Sequence, residues 1–103
     1  MQVFDLQVFN ELIPAFIEQS DEMVNSMMDL LYQNDLETLE RYAHSMKSSS
    51  LNVGADTLSR LSLELEEMSR NQQSVDVLKE KIESVSLQYK QVKPALLKFH
   101  EEG

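Results

Sequence analysis

The sequence predicts an all-α fold: an antiparallel up-and-down four-helix bundle with a short additional helix at the N-terminus. Three observations carry that expectation. Gly54, Gly103, Pro14 and Pro94 are the only glycines and prolines in 103 residues, far too few for the turns of an all-β chain. Apolar or small residues recur in alternating steps of three and four, the mark of one buried stripe per helix. The polar breaks between stripes are short, and short links make consecutive helices neighbours.

The elements follow in chain order. A short leading helix around Asp5 to Leu12 covers one end of the bundle with Phe4, Leu6 and Phe9. The first long stripe is Phe16, Ser20, Val24, Met27 and Leu31, widened by Ile13, Ile17 and Met28; Pro14 suits a first helical turn, where no N–H is needed. Asn34 and Asp35 are placed to cap the next helix, and Glu37 complements its dipole. Its stripe runs Leu36, Leu39, Ala43, Met46, Ser50 and Val53, and Gly54 supplies the left-handed residue that ends it. Leu58, Leu61, Leu65 and Met68 form a shorter stripe. After the polar break from Asn71 to Ser74, with Ser74 or Asp76 as cap, the last stripe is Val75, Leu78, Ile82, Val85, Tyr89, Val92, Leu96 and Phe99. Pro94 should kink this helix or end its regular part. The heptad-like stripes also fit a coiled-coil dimer, but helices and links this short favour a monomeric bundle, one domain over residues 1–103.

Composition narrows the function. Hydrophobic residues are 42% of the chain, enough for a core, and the net charge is -9. So acidic a surface repels nucleic acid and anionic membranes, which excludes a large basic face. No cysteine is present, so disulfides, thiol catalysis and thiolate-held metals are excluded. Residues 1–12 lack the basic and apolar regions of a signal peptide, and no apolar run approaches the roughly 18 residues of a membrane span. The expected location is the cytoplasm, and Met1 with the modest length favours a free-standing protein.

Two histidines are the candidates for a nucleophile, base or metal ligand. His100, beside Glu101 and Glu102, is expected to be a solvated terminal residue. His44 points about 120° away from the centre of its helix stripe, on a flank open to water. Its neighbours there are Glu40, Lys47, Ser48 and Leu51. Lys47, three residues on, can pair with an anion held at the ring, and Ser48, four residues on, leaves the ring uncovered. Ser45, Ser49 and Ser50 continue a low-bulk run that is poor for helix propensity, and so argues for a close approach by something. On position alone His44 is an ordinary surface histidine; this register instead suits a histidine that exchanges a phosphoryl group with another protein.

The stretch Ala43 to Glu66, AHSMKSSSLNVGADTLSRLSLELE, closely resembles the histidine-containing phosphotransfer (HPt) domains of two-component phosphorelays. Their signature is a histidine, a lysine three residues later, a small residue next and a glycine after about one and a half further turns, here His44, Lys47, Ser48 and Gly54. The ending Asn52 to Ala55 is typical as well, and Met46 stands for the more usual leucine. The resemblance implies that His44 is the phosphoacceptor through its outer ring nitrogen and that Lys47 pairs with the phosphoryl oxygens. Ser48 holds a position usually occupied by glycine, where smallness admits the partner. Glu66 falls where some relatives carry a carboxylate that fixes the ring tautomer; Glu40, one turn before His44, is the alternative for that task. The implied partners are receiver domains of response regulators or hybrid sensor kinases, docking over Glu40, Ser48 and Leu51. The magnesium ion of the chemistry is expected on the receiver, and this chain is expected to hold no cofactor and no metal.

Two rivals are weighed against that expectation. A pure scaffold bundle explains the stripes but gives no reason for the His-Lys-Ser register. An enzyme would need clustered zinc ligands or a strained serine turn with its own base, and neither is legible. Two glycines cannot build a phosphate-cradling loop, so autophosphorylation with ATP is not expected. Met23, Met27, Met28 and Met46, at helical spacing, are read as core filling.

Overall fold

A computed structural model describes residues 6–102. Among the described residues there are four helices and no strand: α1 (Leu6–Tyr32), α2 (Leu36–Asn52), α3 (Asp56–Arg70) and α4 (Val75–Glu102). The predicted stripes face inward except at the two ends of the last one, where Val75 and Phe99 are exposed. Ile13, Phe16, Met27 and Leu31 from α1 meet Leu39, Ala43 and Met46 from α2, Leu58 and Leu65 from α3, and Leu78, Ile82, Val85 and Tyr89 from α4 in one core.

The three links share one device. Each places a single residue in the left-handed region: Asn34 (φ 59°), Gly54 (φ 75°) and Gln72 (φ 53°). In each, the next residue's N–H returns to a carbonyl in the last helical turn: Asp35 to Leu30 at 2.9 Å, Ala55 to Ser50 at 2.8 Å, and Gln73 to Met68 at 3.1 Å. These are Schellman closures, which satisfy carbonyls a helix end would otherwise leave bare. Asn34 therefore closes α1 rather than capping α2. The cap is Asp35, whose carboxylate accepts from Thr38 N–H.

Contacts between α1 and α4 run in opposite chain directions. Phe9 meets Phe99 edge-on at 5.1 Å, Asn10 meets His100, and Asp21 meets Tyr89 and Lys93. The same holds for α2 and α3, where Glu40 pairs with Arg70 and His44 with Glu66. α3 also buries a second stripe. Ser59, Ser62, Glu66 and Ser69 share a flank next to its leucines, and Ser59 Oγ donates to the Lys47 carbonyl at 2.8 Å, so this flank faces α2.

Several expectations are corrected. The short N-terminal helix is not separate: residues 6–12 are the first turns of α1, while Phe4 and Asp5 lie outside the described residues. Pro14 sits inside α1 rather than at its start. Its missing N–H frees the Asn10 carbonyl, and His100 supplies a donor there. His100 Nδ1 lies 3.2 Å from that carbonyl and 2.9 Å from Asn10 Oδ1; both are acceptors, so Nδ1 carries the proton. His100 is thus a half-buried strap between helix ends, not a solvated tail residue. Nor does α4 end at Pro94; it continues to Glu102. The low-bulk serine run has an inward cause as well, since Ser50 is buried in the bundle while Ser48 is exposed.

Candidate functional site

The flank of α2 that carries His44 lies beside the serine-lined flank of α3, and small side chains there leave room for one long acid. Glu66 fills it, with only 7% of its side chain exposed. A carboxylate so buried costs several kcal/mol unless it is paired. It is paired three times. Oε2 lies 2.8 Å from His44 Nδ1 and accepts from Arg70 Nη2 at 3.0 Å, and Oε1 accepts from Lys47 Nζ at 3.0 Å. Burial alone would raise the Glu66 pKa, but the bonds and charges of Lys47 and His44 outweigh it and leave it below the ordinary glutamate value. The group stays ionised at neutral pH.

An ionised carboxylate only accepts hydrogen bonds, so the 2.8 Å contact requires the proton on Nδ1. Lys47 Nζ is 3.4 Å from the same nitrogen and carries donors only, so it does not compete for that proton. The neutral ring then bears its lone pair on Nε2. No described residue bonds Nε2, and 59% of the His44 side chain is open to water. One edge of the ring is held at Nδ1 while most of the side chain stays open to solvent.

Each sequence-predicted residue can be placed. Glu66, not Glu40, contacts His44; Glu40 accepts from Arg70 Nε at 3.0 Å instead. Lys47 is partly covered, Ser48 is exposed beside the ring, and Leu51 is 58% exposed two turns beyond His44. Three neighbours were not anticipated. Arg70 bridges Glu66 and Glu40; its four-residue spacing from Glu66 was a legible helical ion-pair signal. Arg41 lines a shallow depression with Glu40, His44, Ser45 and Glu66. Leu63 is an exposed apolar residue one turn before Glu66. Among the described residues, no three His, Asp or Glu side chains gather as metal ligands, and no helix is long and apolar enough to cross a membrane.

A family model for the Hpt domain matches residues 11–94. No curated protein and no solved structure matches the chain.

Proposed function

The chain belongs to the Hpt family, the histidine phosphotransfer domains of two-component signalling, and from that premise we propose that it is a phosphorelay intermediate working through His44. Hpt domains are phosphocarriers rather than catalysts, and they meet receiver domains and kinases. In the proposed relay, a receiver's aspartyl phosphate donates to His44 and a second receiver's aspartate takes the group away, reversibly.

The observation that carries this proposal is the His44 ring itself, held at Nδ1 by Glu66 at 2.8 Å while most of the side chain stays open to solvent. The Nε2 lone pair forms the N–P bond as the P–O bond of the acyl phosphate breaks, and that electron pair leaves on the aspartate carboxylate. The proton on Nδ1 stays in place. The ring therefore becomes cationic, and the charge of Glu66 offsets it. Lys47 neutralises phosphoryl oxygens, Ser48 gives clearance, and Leu51 with Glu40 contributes to the docking surface.

Magnesium belongs to the receiver, and this chain supplies neither a nucleotide site nor autokinase activity. The proposed unit is one antiparallel up-and-down domain over residues 1–103, monomeric and cytoplasmic.

The test is transfer of labelled phosphate from a panel of phosphorylated receiver domains to wild type and His44→Gln. Acid-labile, base-stable label on wild type alone is expected, with nearly unchanged thermal unfolding for the variant because the ring is exposed. Label on both proteins, or on neither, would return His44 to an ordinary surface residue and the bundle to a scaffold.

A further inference from the structure

Arg70 has no task in the relay as described, yet it bonds both Glu66 and the neighbouring Glu40. Its Nη2 donates to Glu66 Oε2 and its Nε to Glu40 Oε2, both at 3.0 Å, so one guanidinium spans carboxylates from α3 and α2. The oxygen it holds on Glu66 is the one that accepts from His44 Nδ1. Lys47 holds the other oxygen.

That division matters during transfer. As the N–P bond forms at Nε2 and the receiver's P–O bond breaks, Lys47 is drawn toward the phosphoryl oxygens and away from Oε1. Glu66 is then a buried carboxylate with one of its cations engaged elsewhere, at the moment the ring becomes cationic. Arg70 does not lose its proton and does not need to move. Glu66 precedes it by four residues on α3, the favourable order for a helical acid–base pair, and Glu40 fixes the far edge of the guanidinium.

We propose that Arg70 is a positioning residue for phosphoryl transfer: it holds the Glu66 carboxylate against Nδ1 of His44 while Lys47 turns to the phosphoryl group. This rests on the relay function proposed above. Arg70 touches no reacting atom; it acts through Glu66, whose orientation sets which ring nitrogen bears the proton.

The experiment compares wild type, Arg70→Gln and Arg70→Lys in the full chain by two measurements. One is the rate of phosphate uptake from a phosphorylated receiver domain. The other is the tautomer of neutral His44, from nitrogen chemical shifts of the ring. Arg70→Gln should take up label roughly tenfold more slowly and shift the ring away from the Nδ1–H form, because a small misplacement of a supporting group slows transfer strongly. Arg70→Lys should recover part of both, since a point charge cannot span two carboxylates. A wild-type rate in Arg70→Gln overturns the proposal and leaves the relay intact. Slower uptake with an unchanged tautomer also overturns it, placing Arg70 in receiver docking instead. Wild type that takes no label from any receiver removes the relay function, and this role with it. Should Arg70→Gln fail to fold, Arg70→Lys against wild type decides on the same two readouts.

Discussion

Asp21 and Glu66 each reach from one helix to its neighbour, Asp21 from α1 to α4 and Glu66 from α3 to α2, yet they do different work. Asp21 is 38% exposed and receives Tyr89 Oη at 2.6 Å and Lys93 Nζ at 2.9 Å. Glu66 is 7% exposed and receives a lysine, an arginine and a histidine. The partners of Asp21 are a phenol and an ammonium that act on it only as donors, so that cluster can only fasten. Among the partners of Glu66 is an imidazole, whose proton can sit on either ring nitrogen, so this cluster fastens and also sets which nitrogen carries it. A buried carboxylate becomes functional through what it holds, and burial makes the hold directional.

The largest expected contrast is in transfer. Glu66→Gln should slow phosphate uptake roughly a hundredfold, since the amide neither offsets the cationic ring nor enforces the Nδ1–H form. Asp21→Asn should leave the rate unchanged. Equal rates for Glu66→Gln and wild type, followed by label uptake, would break the comparison and make both clusters merely structural.

A smaller effect belongs to stability. Tyr89 is 4% exposed, and its hydroxyl also lies 3.2 Å from the Ile17 carbonyl. Tyr89→Phe should cost about 1 kcal/mol in denaturant unfolding, since the bond goes to a charged group but one that water already screens. Uptake of label should be unaffected.

The smallest effect sharpens the comparison through pH. Hydrogen bonds from Tyr89, then from Lys93, hold the Asp21 pKa below its ordinary value of 3.8. A depressed acid contributes stability that is fully present above its unfolded pKa and is lost as pH falls through the folded one. Unfolding temperature should therefore drop less steeply below about pH 4 in Asp21→Asn than in wild type. Parallel acid limbs would show that Asp21 contributes no such linkage.

Much of this was legible in the chain. The steps of three and four named the core, and Leu39, Ala43, Met46, Leu58, Leu65, Leu78, Ile82 and Val85 are all buried. The left-handed Gly54, the Asp35 cap and the exposed flank of His44 follow from local chemistry that acts within a few residues. The second buried stripe of α3 was not legible, because Ser59, Ser62 and Ser69 carry no hydrophobic signal. They are inside because α2 packs against them, and a serine is small enough to allow it. Pro14 misled for a related reason. A helix tolerates an internal proline when another element satisfies the freed carbonyl, and here that element is His100, ninety residues away.

What the sequence determined by itself is therefore whatever rests on short-range periodicity and on one motif: four helices, their inward faces, and a histidine, a lysine and a serine on one open flank. Only the tertiary structure decided which acid meets the histidine. Glu40 is one turn away on the same helix and Glu66 is 22 residues away on another. The choice depends on the register of α2 against α3 and on an arginine that draws Glu40 aside. Periodicity of about 3.6 residues fixes the direction of a side chain around its own axis. It carries no information on how far one helix slides along another, and the state of the His44 ring depends on that sliding.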